Sequence, residues 1–195
     1  LLKRIRSLRT PKIEDACALP GSSMTTVNVE FQQIELRPKG ISEAGVNAQV
    51  NTMLVRHWTA VAPKLQVLDR QIRSAKTLNV CQRFVTAAES QSLNMSYRRR
   101  NQPTNVLSFF GGVWVDREQY QLGDLAVCSE LVAQEAQAQG KSVATHHLHL
   151  VIHGILHLVG YDHEVAAEAK EMETLEAALL SEVGVSDPYK AVIDE

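Results

Sequence analysis

The chain has 195 residues, of which 45% are hydrophobic and 22% charged, with a formal net charge of −2. That is enough chain and enough apolar material for a compact core, and it argues against wholesale disorder. The near-neutral balance argues against a nucleic-acid coat, and no apolar run approaches the roughly 18 residues of a membrane-spanning helix.

Residues 1–23 carry Lys3, Arg4, Arg6, Arg9 and Lys12 but no secretory pattern. They read as an N-terminal extension, disordered or an artefact of start-site choice, with a basic RNA-contacting arm as the functional alternative. From Met24 onward one domain, 24–195, is expected. Val27, Val29 and Phe31 alternate with polar neighbours and predict a strand over 26–36. Val46, Val50, Leu54 and Trp58 fall at helical spacing and predict a helix over 43–58. A strand over 78–85 and a short helix over 87–94 follow, then a polar, basic segment, 96–102, closed by Pro103.

Residues 106–110 read as a third strand. Gly111-Gly112 and the polar run 116–121 read as a loop, and 124–128 as a fourth strand. Helices are expected over 129–139, stopped by Gly140; over 142–159, stopped by Gly160; and over 164–183, stopped by Gly184. Met172, Leu175, Leu179 and Val183 form the buried stripe of the last one. Strands and helices mix without a strict βαβ alternation, so the expected class is α+β: a small mixed sheet of about four strands flanked by helices. Cys17, Cys81 and Cys128 are odd in number and widely spaced, which suits a reducing, cytoplasmic compartment.

Six of the seven histidines lie between positions 146 and 163. His153 and His157 are four apart, so a helix points both at one ion. Gly160 lets the chain turn out of the helix and bring back His163. Three imidazoles with water in the fourth place describe an open, catalytic zinc site, where the bound water has a pKa of about 7. His147 lies off the shared face and reads as a core residue. His146 and His149 lie near it and read first as filling or capping the core, with a role behind the ligands or toward substrate as the alternative. Asp162 and Glu164 flank the third ligand and are candidates for a general base or for orienting an imidazole.

The spacing H-x-x-x-H-x-x-G-x-x-H is similar to the metzincin zinc motif. Those proteases place Glu after the first histidine, as general base, whereas this chain has Gly154. Peptide hydrolysis by that route loses its proton acceptor.

The string from His153 to His163, with Tyr97-Arg98 and Pro103-Thr104-Asn105-Val106-Leu107-Ser108-Phe109, resembles the YbeY family of bacterial endoribonucleases. Ser92-Leu93-Asn94, Gly123-Asp124 and Glu171-Met172-Glu173 extend the likeness from about Met24 to the C-terminus. The resemblance implies a single-strand-specific, metal-dependent endoribonuclease that matures the 3′ end of 16S ribosomal RNA and serves in late quality control of 70S ribosomes. It implies His153, His157 and His163 as ligands of one zinc ion and Arg98 as the essential arginine. Arg99 and Arg100 stand where Gly-Lys is common, and are candidate phosphate contacts. Phe110 stands where Pro is common. Implied partners are the ribosome, small-subunit proteins and a ribosome-assembly GTPase. Two other readings stay open: a metallohydrolase of another substrate, and an assembly factor whose zinc is structural.

Overall fold

The computed structural model describes residues 25–68 and 72–190. The extension over 1–23, with Cys17, therefore lies outside the described residues. Within them a four-stranded sheet is ordered β1-β2-β4-β3, where β1 is Thr26–Gln32, β2 Thr77–Val85, β3 Val106–Trp114 and β4 Gln119–Cys128. β1, β2 and β4 run parallel, and β3 is antiparallel to β4. Six helices accompany the sheet among the described residues: α1 Glu43–Arg56, α2 Trp58–Leu68, α3 Ala87–Arg98, α4 Ser129–Ala138, α5 Val143–Val159 and α6 Ala166–Ser181. The mixed sheet and its flanking helices match the class read from sequence.

β1 buries Val27, Val29 and Phe31 in alternation. It is shorter than expected: pairing ends at Gln32–Arg83, Gln33 turns into the left-handed region, and 34–36 form a 3-10 turn. An open strand edge invites unwanted pairing, and α1 covers this one. Asn47 bonds both the N–H and the carbonyl of Val29, at 2.7 and 2.9 Å. Asn51 does the same for Val27, at 2.8 and 2.7 Å. The predicted helix over 43–58 breaks at His57, and Trp58 opens α2, which continues through Pro63 and was not legible in the pattern.

Two further boundaries moved. α3 runs a full turn beyond 94, because Tyr97 packs edge-on against Phe109 at 5.0 Å and the exposed polar residues tolerate helix. It stops where Arg99 turns left-handed, with φ 60°. Gly111-Gly112 do not end β3. The strand passes through them with an irregular register between Phe110 and Val113, and a tight turn held by Asp116 starts β4 at Gln119. Gly112 has φ 68°, and a Cβ there would lie 2.5 Å from the Phe110 ring.

α5 is the centre of the molecule. Ser142 caps its start, accepting from the Thr145 N–H at 3.0 Å, and Gly160, φ 111°, ends it. Leu148, Val151, Ile152, Ile155, Leu156, Leu158 and Val159 are all buried. His147 is a core residue as expected: it is fully buried, takes a hydrogen bond from the Gln82 amide at 2.8 Å and stacks on Phe84. Burial pushes its pKa down to about 3.

Glycines let α5 lie close on the sheet. A Cβ on Gly154 would lie 2.7 Å from the Leu125 side chain, and one on Gly123 would lie 2.3 Å from the Phe109 carbonyl oxygen. A flexible leucine end can retreat; a strand carbonyl cannot. Gly123→Ala is therefore expected to cost about 1–3 kcal/mol in urea unfolding. For Gly154→Ala, better helix propensity, about 1 kcal/mol, offsets the contact. The smaller effect should fall on Gly154; equal losses would contradict this packing.

Candidate metal centre

One face of α5 carries His153 and His157, whose ring centroids lie 4.6 Å apart. Beyond Gly160 the chain turns and returns His163, with its ring 5.5 Å from that of His153 and 4.9 Å from that of His157. One nitrogen from each ring lies within 4.8 Å of the others. The turn is fixed from both ends. The Tyr161 carbonyl lies 3.1 Å from His157 Nδ1, the Tyr161 hydroxyl donates to the Ala60 carbonyl, and Asp162 Oδ1 accepts the His163 N–H at 2.7 Å.

These bonds determine the tautomers. A carbonyl only accepts, so His157 Nδ1 must carry a proton and donate to Tyr161. His153 Nδ1 lies 3.2 Å from Glu176 Oε2, an ionised acceptor, so it too carries its proton. Both Nε2 atoms are then bare lone pairs, and they face each other at 3.1 Å. Two acceptors at that range repel unless a cation lies between them. Tetrahedral zinc, with Zn–N of about 2.0–2.1 Å, sets ligand nitrogens about 3.3 Å apart, so the donor set fits such an ion. Burial, then the charges of His153 and His163, push the His157 pKa down to about 4, so His157 Nε2 is an acceptor.

Glu176 of α6 was missed by the sequence reading. It is fully buried and meets His153 Nδ1, His149 Nε2 at 2.8 Å and the Tyr189 hydroxyl, which donates at 2.6 Å. Burial alone would push this carboxyl up; hydrogen bonds from His149 and His153 overcome it and hold the pKa at about 2. The signal was an acid inside an apolar stripe, four residues after Met172 and three before Leu179. His149 thus stands behind the centre, bound to the carboxylate that orients His153.

Arg98, in the last turn of α3, is half-buried. Burial and then Arg100 lower its pKa, while the Asp162 carboxylate opposes both, so Arg98 and the third histidine's neighbour share one electrostatic field. Arg99 and Arg100 are exposed at the α3 terminus, where their N–H groups bond Met95 and Asn94 carbonyls. Glu164 is exposed, next to His163. Gly154, at the position where metzincins hold their base, faces Leu125 and Ser108.

Known proteins resemble this chain over most of its length. The family model "Endoribonuclease YbeY" matches residues 43–184. A Chromohalobacter salexigens protein of that name is 44% identical over 148 residues, covering 76% of this chain and 86% of the relative. An Alkalilimnicola ehrlichii protein of the same name is 50% identical over 110 residues, covering 55% of this chain and 66% of the relative.

A pH dependence follows from the depressed imidazoles. Between pH 6.5 and about 4, unfolded chains bind protons that folded His147 and His157 do not, so stability falls as pH falls through this window. Urea unfolding of chelator-treated protein should show this loss from pH 6.5 to 5. His147→Gln should remove about 2 kcal/mol of it, the equivalent of roughly 1.5 pH units. An unchanged slope would contradict the buried, neutral assignment.

Proposed function

The chain belongs to the endoribonuclease YbeY family, and from that premise we propose that it is a metal-dependent endoribonuclease cutting single-stranded RNA. The proposed ligands of one zinc ion are His153, His157 and His163, in a metzincin-like arrangement, and Arg98 is the proposed catalytic cation. The proposed substrate is the 3′ region of 16S ribosomal RNA, with a further role in late quality control of 70S ribosomes. The ribosome, small-subunit proteins and a ribosome-assembly GTPase are the proposed partners, in the cytoplasm, and residues 24–195 are proposed as one domain. What carries the reading is the pair of facing, unprotonated Nε2 atoms at 3.1 Å, completed by His163.

Bound zinc supplies Lewis acidity to a phosphate oxygen and lowers the pKa of water. The chain's own groups do the rest. Glu176 and the Tyr161 carbonyl lock two rings with Nδ1 protonated and Nε2 presented to the ion. Arg98, half-desolvated, forks onto two non-bridging phosphoryl oxygens and stabilises the charge that gathers there as one P–O bond forms and another breaks. Asp162 spends one oxygen on the His163 N–H, so we assign it to holding the turn and to the field around Arg98. Gly154 supplies no base after the first histidine. This favours a phosphodiester over a peptide.

Cleavage of an unstructured RNA tests the reading. Arg98→Ala should lower kcat by about 10²–10³, the usual cost of losing one charge-stabilising donor. His157→Ala should remain folded by circular dichroism, keep ribosome binding and lose cleavage. A His157→Ala protein that unfolds would favour a structural metal. Products ending in cyclic phosphate would assign the attack to the RNA's own 2′-hydroxyl, and linear ends would assign it to water.

A further inference from the structure

A second feature adjoins the centre and is unused by the mechanism above. Beside His153, along the N-terminal half of α5, an open cleft of about 440 Å³ is lined by Asn105, Glu135, His146, His149, Leu150 and Tyr189, among others. Glu135 of α4 stands in its wall with a side chain 32% exposed. Its carboxylate accepts from the Asn105 amide at 3.0 Å and from His146 Nε2 at 2.7 Å. His146 is almost fully buried, and its Nδ1 has no hydrogen-bond partner among the described residues. Tyr189 sets an exposed ring edge-on to His149 at 6.2 Å.

The charge of this cleft selects its occupant. Burial outweighs the pull of Glu135 and keeps His146 neutral, so the pair retains the full negative charge of Glu135. The buried Glu176 carboxylate lies just behind it, against His149. An RNA phosphate is repelled here and belongs on the Arg98 side. A metal is not indicated, because among the described residues the three-histidine group is what meets metal-ligand distances. What suits the cleft is a neutral, flat group that donates to a carboxylate and offers a face to an aromatic ring. An ionised carboxylate is an acceptor only, with about four lone-pair sites. Asn105 and His146 occupy Glu135 Oε2, whereas Oε1 carries only the long 3.3 Å bond from Asn105, so the 32% exposed side chain keeps acceptor capacity for a further donor. Among nucleobases, guanine presents two parallel donors, N1–H and the exocyclic N2–H, on one edge; adenine, cytosine and uracil do not. Unpaired RNA bases are recognised in this way, splayed out, stacked and bonded along their Watson–Crick edge.

Position ties the cleft to the chemistry. The rings of His146, His149 and His153 follow one another along α5 at 6.0 and 6.5 Å, so the cleft, which His153 itself lines, runs from the metal centre back along about two helical turns. A base seated there belongs to a nucleotide next to the phosphate being cut. We propose that this cleft is a nucleobase subsite for an unpaired guanine beside the scissile phosphate, held by the Glu135 carboxylate; this rests on the RNA-cleaving reading of the centre.

Calorimetric titration of the whole protein with GMP, IMP, AMP and UMP, paired with cleavage of oligouridine strands carrying one guanosine or one inosine, tests it. GMP should bind at least tenfold more tightly than AMP or UMP. IMP, lacking the exocyclic amino group, should fall between, and cleavage should concentrate beside the guanosine. Glu135→Gln should erase the preference. Because it also disturbs His146, Gln139→Trp serves as a second variant, blocking the cleft from the exposed end of α4 while leaving that pair intact. Equal affinities for all four nucleotides, or a folded Glu135→Gln or Gln139→Trp protein that still prefers GMP, would overturn the proposal. Cleavage without base preference sinks the subsite and leaves the enzyme reading standing. Selective GMP binding without any RNA cleavage does the reverse.

Discussion

Two imidazole nitrogens facing each other without a proton between them are the constraint on which this molecule turns. Their separation, 3.1 Å, is a hydrogen-bond distance, yet both Nδ1 protons are committed elsewhere, to Glu176 and to the Tyr161 carbonyl. A cation between them converts mutual repulsion into shared attraction. The surrounding architecture preserves that arrangement: a helix places the first two rings, a left-handed glycine turns the chain, and Asp162 holds the segment that carries the third. Burial keeps the His157 ring neutral, which is the state that can ligate.

Placing such a site on α5 requires the helix to serve two demands at once. Its apolar faces fill the core against the sheet, while the histidine face stays partly open. Close contact with β3 and β4 is obtained at Gly154, where the Ser108 hydroxyl donates to the helix carbonyl at 3.2 Å. The glycine that permits this contact also brings no carboxylate to the position after His153. The proposed centre accordingly draws on Arg98 and on oriented imidazoles.

Much of this was legible in the chain. The i,i+4 histidines, the glycine stop and the returning histidine follow from helix geometry alone, and the alternation of Val27, Val29 and Phe31 gave β1. What escaped was set by tertiary contact. Glu176 reaches His153 across 23 residues, which no local pattern reports. α3 continues to Arg98 because Tyr97 finds Phe109, and β3 continues through two glycines because β4 pairs with it. Pro63 disguised α2. The cleft that gathers Tyr189, Glu135 and His146 likewise joins residues distant in the chain.

Nitrogen-15 spectra of the imidazoles during zinc titration test the central claim most directly. The account predicts that, at one equivalent, coordination shifts appear at His153, His157 and His163. On His153 and His157 they should fall on Nε2, with the Nδ1 protons retained on the atoms bonded to Glu176 and Tyr161. Saturation at another stoichiometry, metal on Nδ1 of either α5 ligand, or zinc-dependent shifts at other histidines with these three unmoved would contradict it.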